Sequence, residues 1–158
     1  MQMAEENQTI DSSSDYDVTE QIGHLLRRAT QRHTAIFQNN IGDPQLTAIQ
    51  FVTLCALYDK GPSSQIELVE ATAVDQATIR GIITRLKARG LVQLSTSDDD
   101  KRKVIISLSA DGLTLIQSII PKAQRISQLT VERLNPAEQV AIIYLLKKMS
   151  DDSGDEPT

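Results

Sequence analysis

The chain has 158 residues, 40 % of them hydrophobic but only 3 % aromatic, with no Trp and a single cysteine, Cys55. That composition suits one domain packed through Leu, Ile, Val and Ala, alone or with a dimerisation extension, and it excludes an internal disulfide. The net charge of −5 appears to exclude a polyanionic partner until the charges are placed along the chain.

Residues 1–20 carry six acids and no base, and residues 151–158 carry four acids and no base. All 16 basic residues therefore fall within 21–150, against 11 acids. Phosphate binding depends on the local field and not on the overall balance. Residues 1–15 and 151–158 read as disordered acidic tails flanking a domain over 16–150. No apolar run reaches the roughly 18 residues of a membrane span. The start, MQMAEENQTIDSSSDYD, lacks the basic and apolar regions of a secretory leader. The expected setting is cytoplasmic, with no membrane partner.

A long first helix is predicted over about Val18 to Asn39. Its apolar stripe is Val18, Ile22, Leu25, Leu26, Ala29, Ile36 and Phe37, and its polar face includes His24, Arg27, Arg28, Gln31 and Arg32. Gly42 and Pro44 break it. Thr47 caps a second helix, AIQFVTLCALYDK, whose apolar positions run nearly all round and predict deep burial. After Gly61-Pro62, Ser63 or Ser64 caps a short third helix, QIELVEATA, which forms a helix-turn-helix pair with the next.

The fourth helix starts at Asp75, a capping carboxylate, and stops at Gly90. Ala77, Ile79, Ile82, Ile83 and Leu86 follow helical spacing. The opposite face carries Gln76, Thr78, Arg80, Thr84, Arg85, Lys87 and Arg89, donors suited to base edges and phosphates. Strands are predicted at 91–94 and 104–108, joined by the polar turn STSDDDKRK. Ser109 opens a helix through GLTLIQSIIPKAQRISQLTVERL, which Pro121 should kink. Asn135-Pro136 opens a last one, AEQVAIIYLLKKMS. The first helix and the last two carry more apolar surface than a small lobe can cover, which predicts a homodimer.

The fold class is thus mainly α with a small β-hairpin wing: a winged helix-turn-helix over 45–108, with dimerisation helices over 16–40 and 109–150. DDDKRKVIISLSADG resembles the wing signature of the MarR family of bacterial transcriptional regulators, with Asp100, Arg102, Val104, Ile106, Leu108 and Gly112 in the family's places. Ser109 stands where Thr is usual. DQATIRGIITRLKARGLV resembles the family's recognition helix and LTAIQFVTLCAL its second helix.

The resemblance implies a dimeric repressor that binds a palindromic operator in double-stranded DNA and is released by a small ligand, often an aromatic carboxylate. The chain looks similar to the branch that controls aromatic or N-heteroaromatic (nicotinate-type) acid catabolism. No cofactor is implied.

On this reading Asp75, Gln76, Ala77, Thr78, Arg80, Thr84 and Arg85 meet the major groove, while Lys101, Arg102 and Lys103 suit a narrow minor groove. Arg102 is equally suited to pairing with Asp100 to shape the hairpin. His24, Arg28 and His33 are candidate donors to an effector carboxylate. The two histidines are nine residues apart and do not share a helical face at metal-ligand spacing, so a metal site is not expected. Three consecutive acids, Asp98 to Asp100, point different ways and form no cation cage. No nucleophile with a base partner and no phosphate-cradling glycine loop is present, which argues against an enzyme. The competing readings are a winged-helix module for protein contacts and a redox-sensing regulator acting through Cys55, which its apolar surroundings instead mark as core.

Overall fold

A computed structural model of the protein describes residues 15–151. The predicted acidic tails therefore lie almost wholly outside the described residues. After a 3₁₀ turn, Val18–Glu20, the chain forms α1 (Ile22–Asn40), α2 (Ala48–Lys60), β1 (Ser63–Ser64), α3 (Gln65–Thr72), α4 (Gln76–Ala88), β2 (Val92–Thr96), β3 (Val104–Leu108), α5 (Ala110–Thr130) and α6 (Pro136–Ser150). Among the described residues no helix is long and apolar enough to cross a membrane.

The helix starts follow local capping chemistry. Thr47 and Gln50 form a reciprocal capping box on α2, and Asn135 with Glu138 forms another on α6. Ser64 caps α3, Asp75 caps α4 and Ser109 caps α5. The stop of α4 is a Schellman motif: the Gly90 N–H donates to Lys87 O and the Leu91 N–H to Leu86 O, both at 2.9 Å. Gly90 takes a φ of +72°, which a glycine adopts without strain.

The sheet has three antiparallel strands in the order β1-β3-β2. Val92 pairs with Leu108 and Thr96 with Val104 in the hairpin, and Ser63 pairs with Ile106 on the other edge. The third strand was not predicted. Two serines are too short to show alternation, and Ser64 serves at once as strand end and helix cap.

The core lies between α2, α3, α4, the sheet and the middle of α5, with Leu54, Leu68, Ile79, Leu86 and Ile116 fully buried. Phe37 brings α1 onto it, its ring centroid 6.0 Å from that of Phe51. Gly112 fixes how α5 meets the wing: a Cβ there would collide with the Leu91 carbonyl. Ser109 reinforces the junction, its hydroxyl donating to Gly90 O at 2.6 Å and accepting from the Gly112 N–H at 3.0 Å.

Two expectations need correction. The second helix is not buried all round, since Ile49, Val52 and Tyr58 are exposed. The lobe packs on one side of α2 and leaves these outside. The fifth helix ends at Thr130 and not at Leu134, with Val131–Glu132 in a turn. It continues through Pro121, which costs a backbone hydrogen bond but not continuity.

Candidate nucleic-acid interface

Recognition needs a helix that anchors one face and presents the other. In α4, Ile79, Ile82, Ile83 and Leu86 are buried, while Gln76, Ala77, Thr78, Arg80, Thr84 and Arg85 are all exposed. Ala77, on the apolar spacing in sequence, thus belongs to the outer face. At the helix start the Asp75 carboxylate accepts the Thr78 N–H at 2.9 Å and the Thr78 hydroxyl at 2.6 Å. Those bonds, the hydroxyl's first, hold the Asp75 carboxyl below its usual pKa. With its hydroxyl proton spent, Thr78 offers its methyl outward. Thr84 likewise donates to the Arg80 carbonyl at 3.0 Å.

The wing tip is a turn closed by the Lys103 N–H on Asp100 O at 3.0 Å. The Asp100 carboxylate accepts the Arg102 backbone N–H, also at 3.0 Å. Asp100 therefore shapes the hairpin through the backbone, and the Arg102 guanidinium remains available. Lys103 instead reaches Glu67 on α3 at 3.5 Å, an exposed pair that contributes little to stability but sets the wing beside the helix pair. Gln76, Arg102 and Lys103 line one open groove with Gln65 and Glu67.

Arg89 departs from the predicted outer face. It turns inward, and its Nη2 meets the Asp43 carboxylate at 2.6 Å. Both side chains are mostly buried, and Nη1 of Arg89 is buried with no hydrogen-bond partner. Burial on its own raises the Asp43 pKa, but the bond from Arg89 and backbone N–H donors outweigh it and lower the value. This pair ties the end of α4 to the loop between α1 and α2. Its partners are 46 residues apart, so local periodicity gave no sign of it.

A second region is built where α1 meets the end of α5. Arg32 donates to the carbonyls of Thr130 (2.8 Å) and Leu129 (3.3 Å) and pairs with Glu132 (3.4 Å), a cation at a helix C-terminus. His33 Nδ1 lies 2.9 Å from Thr130 Oγ1. His33 also borders a cavity of about 170 Å³ with Phe37, Phe51, Ile126 and Ser127. It also lines a larger apolar one of about 580 Å³ with Leu26, Arg133, Ile142 and Leu146. His24 and Arg28 do not join it at either cavity: the His24 ring is 3.1 Å from Arg27 Nη2, and Arg28 is exposed. Cys55 is half-buried, and burial, followed by the charge of Asp59, pushes its thiol up to about 11. That disfavours the thiolate a redox sensor needs.

The model of the MarR family matches residues 46–104, the span from two residues before α2 to the first residue of β3. The HTH-type transcriptional repressor NicR of Pseudomonas putida is 66 % identical over 136 residues, 86 % of each chain. The transcriptional regulator HosA of Escherichia coli O157:H7 is 32 % identical, over 80 % of this chain and 92 % of that protein. The structure of BpsR from Bordetella bronchiseptica, whose DNA binding is regulated by 6-hydroxynicotinic acid, superposes with a TM-score of 0.83. It is 57 % identical and covers 86 % of this chain and 97 % of that one. The chain belongs to the MarR family.

As a member of that family the protein is a winged-helix DNA-binding transcriptional regulator and not an enzyme. Sequence reasoning missed Thr130, Asp43 and Glu67 and placed Arg32 only on a polar face; each is a partner of a residue on another element. Among the described residues no cluster of His, Cys, Asp or Glu could hold a metal ion.

Proposed function

We propose that two copies of this chain bind a palindromic operator and repress the adjoining genes, and that a nicotinate-type aromatic acid releases them in the cytoplasm. The observation that carries the reading is the exposed edge of Gln76, Thr78 and Arg80 above a fully buried apolar face, beside a wing whose Lys101 and Arg102 side chains are exposed. Gln76 suits adenine, the methyls of Ala77 and Thr78 suit thymine, and Arg80 suits guanine or a phosphate. Thr84 and Arg85, farther along α4, suit the backbone. Lys101, Arg102 and, once released from Glu67, Lys103 suit the minor groove. Asp75 contributes by capping the reading helix.

The second copy is supported by the uncovered apolar residues of α1 and α6, among them Ile22, Val140, Ile143 and Tyr144. A two-fold dimer predicts half-sites about one helical turn apart. The effector reading is supported by the cavities around His33 and by the resemblance to NicR and BpsR.

The test is fluorescence anisotropy against the duplex upstream of the protein's own gene. Affinity should fall steeply with salt and fall again when 6-hydroxynicotinate is added. Arg80→Ala should cost about 1–3 kcal/mol and relax one base position, whereas Arg102→Ala should weaken all sequences alike and reduce the salt slope by about one. A flat salt response would exclude an operator-binding role.

A further inference from the structure

Ser64 to Glu67 have the pattern of a capping box, but only half of it forms. Ser64 Oγ accepts the Glu67 N–H at 3.2 Å, whereas the Glu67 carboxylate does not return to the cap. In α2 and α6 the side chains of Gln50 and Glu138 do return to theirs. Ser64 is also the end of β1, paired with Ile105, so its backbone serves the sheet. Glu67 reaches Lys103 on the wing instead, at 3.5 Å. The Lys103 backbone is held on both sides: its N–H donates to Asp100 O (3.0 Å) and its carbonyl accepts the Ser97 N–H (2.9 Å). That fixes where its side chain leaves the hairpin, beside α3. The other two cations of the wing tip, Lys101 and Arg102, are exposed and have no ion pair among the described residues. One wing cation in three is thus occupied by a carboxylate of its own chain.

We propose that Glu67 is a specificity residue: it keeps Lys103 off non-operator DNA and yields it only when the operator seats the wing. The inference rests on the operator-binding reading above. Sequence-independent binding is almost wholly phosphate neutralisation, so each cation withheld lowers it directly. Gln76 and Lys103 line the same groove, and Gln65 Nε2 donates to the Gln76 carbonyl at 3.4 Å, which joins the starts of α3 and α4. When Gln76 meets its base edge, the depth of the wing is set as well. Lys103 then comes within reach of the negative potential of a narrow minor groove. The pair with Glu67 is about half exposed on both sides and holds Lys103 too weakly to resist. DNA held through phosphates alone does not press the lobe to that depth. It also meets the carboxylates of Glu67 and Glu70 in the groove.

Anisotropy titrations of the full-length protein across a range of salt, with the upstream duplex and a scrambled duplex of equal length, read the two binding modes separately. Glu67→Gln keeps the Ser64 cap, which uses a backbone N–H, and frees Lys103. Its affinity for the scrambled duplex should rise about tenfold, and that salt slope should steepen by about one for each lobe. The operator slope should stay as in the wild type, since Lys103 is already on the DNA there. Lys103→Gln should do the converse, flattening the operator slope by about one for each lobe and leaving the scrambled one in place. A pair that only braced the wing would move both slopes together. Parallel changes on the two duplexes, or none, would overturn the inference and leave the operator reading standing. If the wild type binds both duplexes equally, the operator reading fails and this inference falls with it.

Discussion

Helices α4 and α6 are close in length, at 13 and 15 residues, and their burial runs opposite to their composition. α4 is the more polar and buries four apolar side chains, two of them with no exposed surface. α6 is the more apolar and buries none, leaving Val140 at 72 % and Tyr144 at 63 % exposure. Each has a polar cap at its start, so local helix chemistry does not separate them. The difference lies in what covers them. The apolar face of α4 is matched by α2, α3 and β2 within the chain, whereas that of α6 has no cover in one copy. One helix is completed by folding and the other by association.

The contrast is broken most sharply from the α6 side. Val140→Glu with Tyr144→Glu should leave the circular dichroism unchanged but convert a dimer to monomers in sedimentation. Operator affinity should drop about 100-fold or more, because the two half-sites are no longer linked. A monomeric wild type would remove the argument. On the other side, Leu54→Ala opens the core of the lobe and should cost about 2–5 kcal/mol in urea unfolding at fixed protein concentration.

Smaller effects sharpen the picture of how α4 is held. Arg89→Ala strands the Asp43 carboxylate and should cost about 1–3 kcal/mol. The pH dependence has a definite sign. Asp43 titrates lower in the folded protein than its usual value, so its stabilisation is complete above about pH 4 and lost as pH falls through the folded pKa. The acid limb of the stability curve should therefore flatten in Arg89→Ala. The smallest change is Gly81→Ala. A Cβ there meets nothing within 4 Å, so helix packing does not require the glycine. Unfolding should show a gain of about 1 kcal/mol, and any fall in operator affinity would assign the gap to DNA.

What the sequence disclosed was whatever is decided within a turn or two of helix or along one strand. Thr47, Asp75, Ser109 and Asn135 cap the helices expected of them, and β3 falls on its predicted residues, because capping and alternation are local. Arg89 was grouped with the outward-facing donors because helical spacing cannot tell a cation at the end of a helix from one folded back under it. Asp43, which decides the matter, is remote in the chain. His24, Arg28 and His33 share a helix, but only His33 lies level with the end of α5, and no property of α1 alone reveals where α5 stops. Ile49 and Val52 looked like core for a similar reason: apolar character does not say which neighbour covers it.

The bare contact between Gly112 and the Leu91 carbonyl has a mechanical meaning. With no side chain between them, the first turn of α5 and the root of the wing move as one piece. Ser127 and Thr130, beside His33, sit farther along the same helix, roughly 22–27 Å away at 1.5 Å per residue. α5 is therefore a bar with the cavities around His33 at one end and the root of the hairpin at the other. A slight tilt of α5 at its far end would reach the hairpin directly, which is the coupling that the proposed release by an effector requires.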